Sequence, residues 1–105
     1  MSKLLSLIAL FATPCWADSL KTMDLSGKLG SIIGSEQACG FSYDQAAIAA
    51  WVTKNVDADD MQFAPMLQMI ILGTQSDMAT KSGSALTAQC AAVGQAARHY
   101  GFIKP

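Results

Sequence analysis

Apolar residues recur along the chain at spacings of three and four, and nowhere alternate over the length that a half-buried strand needs. Leu20, Met23, Leu25, Leu29, Ile32 and Ile33 make a partial helical stripe that reaches about Ser35. Gly27, Gly30 and Gly34 interrupt it, and each costs about 1 kcal/mol against alanine inside a helix, so this segment is expected to be frayed or broken. A second helix is predicted after Phe41, where Ser42-Tyr43-Asp44-Gln45 reads as a capping box with Ser42 as the cap and Gln45 reaching back. Asp44 then sits in the first turn, where the helix dipole favours a carboxylate. Ala47, Ile48, Trp51 and Val52 form the apolar face, and Lys54-Asn55 close the helix.

Val56-Asp57-Ala58-Asp59-Asp60 is a charged connection rich in residues that cap helices. Met61, Phe63, Ala64, Leu67, Ile70 and Ile71 continue at helical spacing as far as Gly73. Pro65 falls inside that pattern and predicts a kinked or restarted helix, ending between Gly73 and Met78. Thr80-Lys81-Ser82-Gly83 is the next loop, and Ser84 is expected to cap a last helix that stops at Gly101. Leu86, Cys90, Val93 and Ala97 share one face of it. These elements predict an all-α fold, a small four-helix bundle.

The opening residues read differently. Met1-Ser2-Lys3 is a short positive start, Leu4 to Ala12 is an apolar run of nine, and Cys15 and Ala17 are the small residues ahead of a cut. That order is the order of a secretory signal peptide cleaved after Ala17. Nine apolar residues are too few to cross a bilayer, which takes about 20. Residues 1–17 are thus expected to be the signal peptide and 18–105 a single helical domain. No later stretch is long and apolar enough to span a membrane, and the expected location is periplasmic or secreted.

Cleavage removes Cys15 and leaves Cys39 and Cys90, an even pair in an oxidising compartment and therefore an expected disulfide. Closing a loop of about 50 residues is worth roughly 4 kcal/mol in the chain-entropy account. The bridge would pin the start of the second helix to the middle of the last.

Charge and chemistry narrow the function classes. Charged residues are 14% of the chain, against roughly 25% in average soluble proteins. Without Lys3 there are six Lys/Arg against eight Asp/Glu and no basic run, which argues against nucleic acid. His99, the one imidazole, lies in the predicted last turn, where positive charge suits the dipole; no nucleophile or acid partner for it is evident. Asp57, Asp59 and Asp60 lack the later bidentate glutamate of a calcium loop, and capping accounts for them. Met61, Met66 and Met69 invite a Cu(I) reading because thioethers are soft ligands. They interleave with Phe63, Leu67, Ile70 and Ile71, a pattern equally suited to core or to a pliable contact surface. No catalytic residue, cofactor or resident metal is expected.

Three blocks carry a resemblance: Ser35 to Phe41 followed by Asp44 to Ile48, then Asp59 to Phe63, then Thr87 to Cys90 continuing to Arg98 to Phe102. Together they resemble a group of small exported α-proteobacterial proteins without an established activity, across most of the chain after the signal. Size, compartment, helix content and cysteine separation are also similar to those of HdeA-type acid-stress chaperones of the bacterial periplasm, a likeness of fold alone. The resulting expectation is a non-enzymatic exported module acting through protein contacts, as a stress chaperone or an inhibitor. The alternative is a small-ligand or copper carrier with a cavity lined by Met61, Met66, Met69 and Trp51.

Overall fold

The computed structural model describes residues 14–104, so the positive start and apolar run of the predicted signal peptide lie outside the described residues. Among the described residues, four α-helices make up a small bundle: α1 (Pro14–Gly34), α2 (Gln45–Asn55), α3 (Phe63–Thr80) and α4 (Gly83–His99). No strand occurs among the described residues. The Cys39–Cys90 disulfide is present, 51 residues apart in sequence, joining the turn after α1 to the middle of α4.

The first helix is neither frayed nor broken at its glycines. Thr22, Ser26, Gly30 and Gly34 fall at steps of four and are all buried, a stripe of small residues facing α3. A β-carbon on Gly30 would lie 2.5 Å from Ile70 Cγ2, and one on Gly34 would lie 2.6 Å from Thr74 Cβ. The missing side chains let the two backbones approach closely, and this packing offsets the helix propensity that glycine gives up. Buried hydroxyls bond back to the helix: Ser26 Oγ donates to the Thr22 carbonyl at 2.6 Å, and Ser35 Oγ, just past the end of α1, to that of Ser31 at 2.8 Å. Gly30 meets Ile70, Gly34 meets Thr74, and Thr22 meets Asp60 just ahead of α3, so α1 and α3 run parallel. The α1–α3 contact is the most extensive in the bundle, and α4 makes a smaller one with α1.

The cap of α2 lies two residues beyond the expected one. Asp44 is the N-cap, its Oδ1 accepting from the N–H groups of Ala46 and Ala47 at 3.0 and 3.3 Å. Ser42 is exposed, and the Gln45 side chain donates its Nε2–H to the Tyr43 carbonyl instead of accepting from the Ser42 N–H. What holds Ser42 out of the cap is Tyr43: its N–H donates to Glu36 Oε2 and its buried hydroxyl to the Ile32 carbonyl, both at 2.8 Å. Pro65 causes no restart, because α3 begins at Phe63 and the proline occupies the first turn, where no backbone N–H is needed. The helix continues to Thr80, past the expected end. For α4 the N-cap is Ser82, not Ser84, and its side chain makes no capping bond.

Two glycines end segments in matching ways. Gly101 (φ +81°) closes α4 with Phe102 N–H donating to the Ala97 carbonyl and Gly101 N–H to that of Arg98. Gly40 (φ +70°) does the same in the turn after α1, through Phe41 to Glu36 and Gly40 to Gln37. Both are Schellman arrangements, and both place a phenylalanine inward just after the glycine. Phe102 is fully buried, with Leu29, Ile32, Tyr43, Phe63 and Ala97 around it; Phe41, Ile48, Trp51 and Leu67 pack on the outside of that core. Burying a ring of that size stabilises the fold by about 2–3 kcal/mol.

Candidate docking groove

Between residues 19–25 of α1 and the entry to α3 lies an open groove of about 520 Å³. Thr22, Met23 and Leu25 contribute from α1, Met66 from α3, and Asp57, Asp59, Asp60 and Met61 from the connection between α2 and α3. The connection is tied down by Asp60. One carboxylate oxygen accepts from the Thr22 hydroxyl at 2.6 Å and the other from the Gln62 N–H at 3.0 Å. Asp60 N–H in turn donates to the Asp57 carbonyl at 3.0 Å, and Lys21 Nζ reaches Asp57 Oδ1 at 3.4 Å across the groove mouth. These bonds present Met61 outward at the end of the connection instead of as the first residue of a helix.

The methionine stripe is not core. Met61 is 81% exposed and Met69 74%, whereas Met66 is half-buried. Met23, 56% exposed, joins Met61 and Met66 in the groove. Met23 belongs to the partial apolar stripe of α1, but the small residues at 22, 26, 30 and 34 take the packed face and leave Met23 beside it. That spacing of four was the signal available for placing Met23. Leu20 and Leu72 are also exposed, at 59% and 55%. Met69 and Trp51 do not line the groove. Trp51 packs edge-on against Tyr100, ring centroids 5.9 Å apart, so a single cavity lined by Met and Trp is not formed.

The remaining candidates are dispersed. His99 is exposed in the last turn of α4, its ring 5.4 Å from that of Tyr100. Cys39 and Cys90 are held in the disulfide. No group of three or more His, Cys, Asp or Glu is arranged to hold a metal ion among the described residues. Asp24 pairs with Lys28 at 3.0 Å, which raises the Lys28 pKa, and Asp77 pairs with Lys81 at 2.7 Å. No helix among the described residues is long and apolar enough to cross a membrane. Comparison with family models, with curated proteins and with solved structures finds no match.

Proposed function

We propose that this chain is an exported, non-enzymatic helical module that works through protein–protein contacts, in the manner of a periplasmic stress chaperone or an inhibitor. The observation that carries this reading is the groove lined by Met23, Leu25, Met61 and Met66, with Leu20, Met69 and Leu72 exposed elsewhere on α1 and α3. Unbranched thioether side chains adapt to apolar partners of different shape, and clustered exposed apolar groups mark contact surfaces. The disulfide supports an oxidising compartment, as does the order of residues 1–17. His99 is exposed in the last turn of α4 with its ring against that of Tyr100, which supports a structural role for the imidazole.

Acid adds a second support. With its carboxylates protonated the chain from Asp18 onward carries six Lys/Arg, His99 and its amino terminus, about +8. Repulsion of that size loosens helix contacts and widens the apolar surface. Light scattering of an acid-denatured client protein near pH 2–3 tests the chaperone form. Substoichiometric to equimolar protein is expected to suppress aggregation, and Met61→Ser to weaken the effect; no suppression at either ratio eliminates a chaperone.

A carrier is the second reading, favoured by the three thioethers of Met23, Met61 and Met66 on one groove. Competition for Cu(I) against a chromogenic chelator tests it, and no uptake relative to Met61→Ser removes the metal version.

A further inference from the structure

The geometry points to a definite occupant for the groove: a basic amphipathic segment of another protein, with apolar side chains on the groove's methionines and Lys or Arg against its carboxylates. This rests on the protein-contact reading above and names the chemistry of the partner. The groove is lined by three carboxylates, Asp57, Asp59 and Asp60, against one ammonium, Lys21. The local charge is therefore −2, in a chain whose net charge is only −1.

The distribution of ion pairs sharpens the point. Asp24 and Asp77 are each matched by a lysine one helical turn away, and Asp57 by Lys21. Asp59 and Asp60 have no ammonium within 4 Å among the described residues. Asp60 accepts two hydrogen bonds from neutral donors, which fix its position and leave its charge uncompensated. The same groove is lined by the flexible apolar side chains of Met23, Leu25, Met61 and Met66, with room for a few apolar groups. Charge of this sign steers cationic segments in and rejects acidic ones, so selectivity comes from the carboxylates and contact area from the apolar lining.

The test uses the intact, oxidised chain and fluorescence anisotropy at neutral pH with three labelled peptides. One is an amphipathic Leu/Lys helix, one has the same pattern with Glu in place of Lys, and one is a Gly/Ser/Lys peptide of equal charge and no apolar face. The Leu/Lys peptide is expected to bind about tenfold or more tightly than either control, with affinity falling as salt rises. Asp59→Lys and Met61→Ser are each expected to weaken it about tenfold. Both side chains are exposed, so far-UV circular dichroism is expected to stay unchanged. Equal binding of the Leu/Glu peptide, indifference to Asp59→Lys, or no binding of any peptide overturns the inference. The outcome is separable from the broader reading. Aggregation suppression with no preference for the Leu/Lys peptide retains the contact module and discards the basic partner, whereas peptide binding without suppression does the reverse for the chaperone form.

Discussion

Replacing glycines of α1 by alanine separates conformational cost from packing, because three of them lie in one helix with different surroundings. Nothing lies within 4 Å of a β-carbon built on Gly27, so Gly27→Ala receives the full propensity gain of about 1 kcal/mol. At that value the Tm of a domain this size rises by about 4–8 °C. On Gly30 the new carbon meets Ile70 Cγ2 at 2.5 Å and Ile70 Cβ at 2.9 Å. Ordinary carbon contacts are about 3.5–4.0 Å, so roughly 1 Å must be found. Ile70 is β-branched and nearly locked at χ1 in a helix, so its methyl cannot swing aside and the helices must part. Overpacking of this kind costs about 1–3 kcal/mol, which exceeds the propensity gain. Gly30→Ala is therefore expected to destabilise by about 1 kcal/mol net. Gly34→Ala, which meets Thr74 Cβ and also the Ile71 carbonyl at 3.0 Å, is expected to lose at least as much. Guanidinium unfolding of the oxidised protein, followed by far-UV circular dichroism, reads these as shifts of midpoint at constant slope. Adding Ile70→Ala to Gly30→Ala should recover part of the loss, as a coupling of about 0.5–3 kcal/mol. If all three alanine variants raise the midpoint alike, the close α1–α3 approach is wrong.

Other consequences are equally direct. Reducing the disulfide, or Cys39→Ser, should cost about 4 kcal/mol by releasing a 51-residue separation, measured as the fall in unfolding free energy with and without reductant. Asp44→Ala should cost about 1 kcal/mol while Ser42→Ala stays within about 0.5, since the Asp44 side chain and not that of Ser42 caps α2; the same unfolding assay decides. Burial first, and the Glu36 carboxylate second, push the Tyr43 hydroxyl up to about 12. An unfolded tyrosine ionises near 10, so the folded state favours the neutral phenol. That contribution is complete below about pH 10 and is lost as pH rises toward 12, a fall of about 2–3 kcal/mol. Tyr43→Phe should remove most of this alkaline loss while costing about 1 kcal/mol at neutral pH for the bond to Ile32, which unfolding midpoints at neutral and alkaline pH will show.

Local order was legible because it depends on neighbours in sequence. The apolar periodicity of residues 45–55 and 83–99, the stop at Gly101 and the cysteine pairing all rest on spacings within the chain, and they appear as read. What failed was the reading of single residues whose role depends on a distant partner. Gly30 and Gly34 looked like defects because the atoms they accommodate belong to Ile70 and Thr74, 40 residues later in each case. Ser42 looked like a cap until Glu36 and Ile32 claimed Tyr43 beside it. Pro65 looked like a break because the start of α3 depends on how Asp60 ties the connection to Thr22.

The candidate site divides the same way. Sequence alone selected Met61, Met66 and the aspartates at 57, 59 and 60 as residues of interest, from their chemistry. Only the parallel packing of α1 on α3 brought Met23 to them and left Met69 and Trp51 elsewhere. The physical reason is that helix formation follows the 3.6-residue period of one segment, whereas a groove depends on the distance and direction between two. Here a stripe of small side chains determined that distance, and it carries no apolar signal of its own.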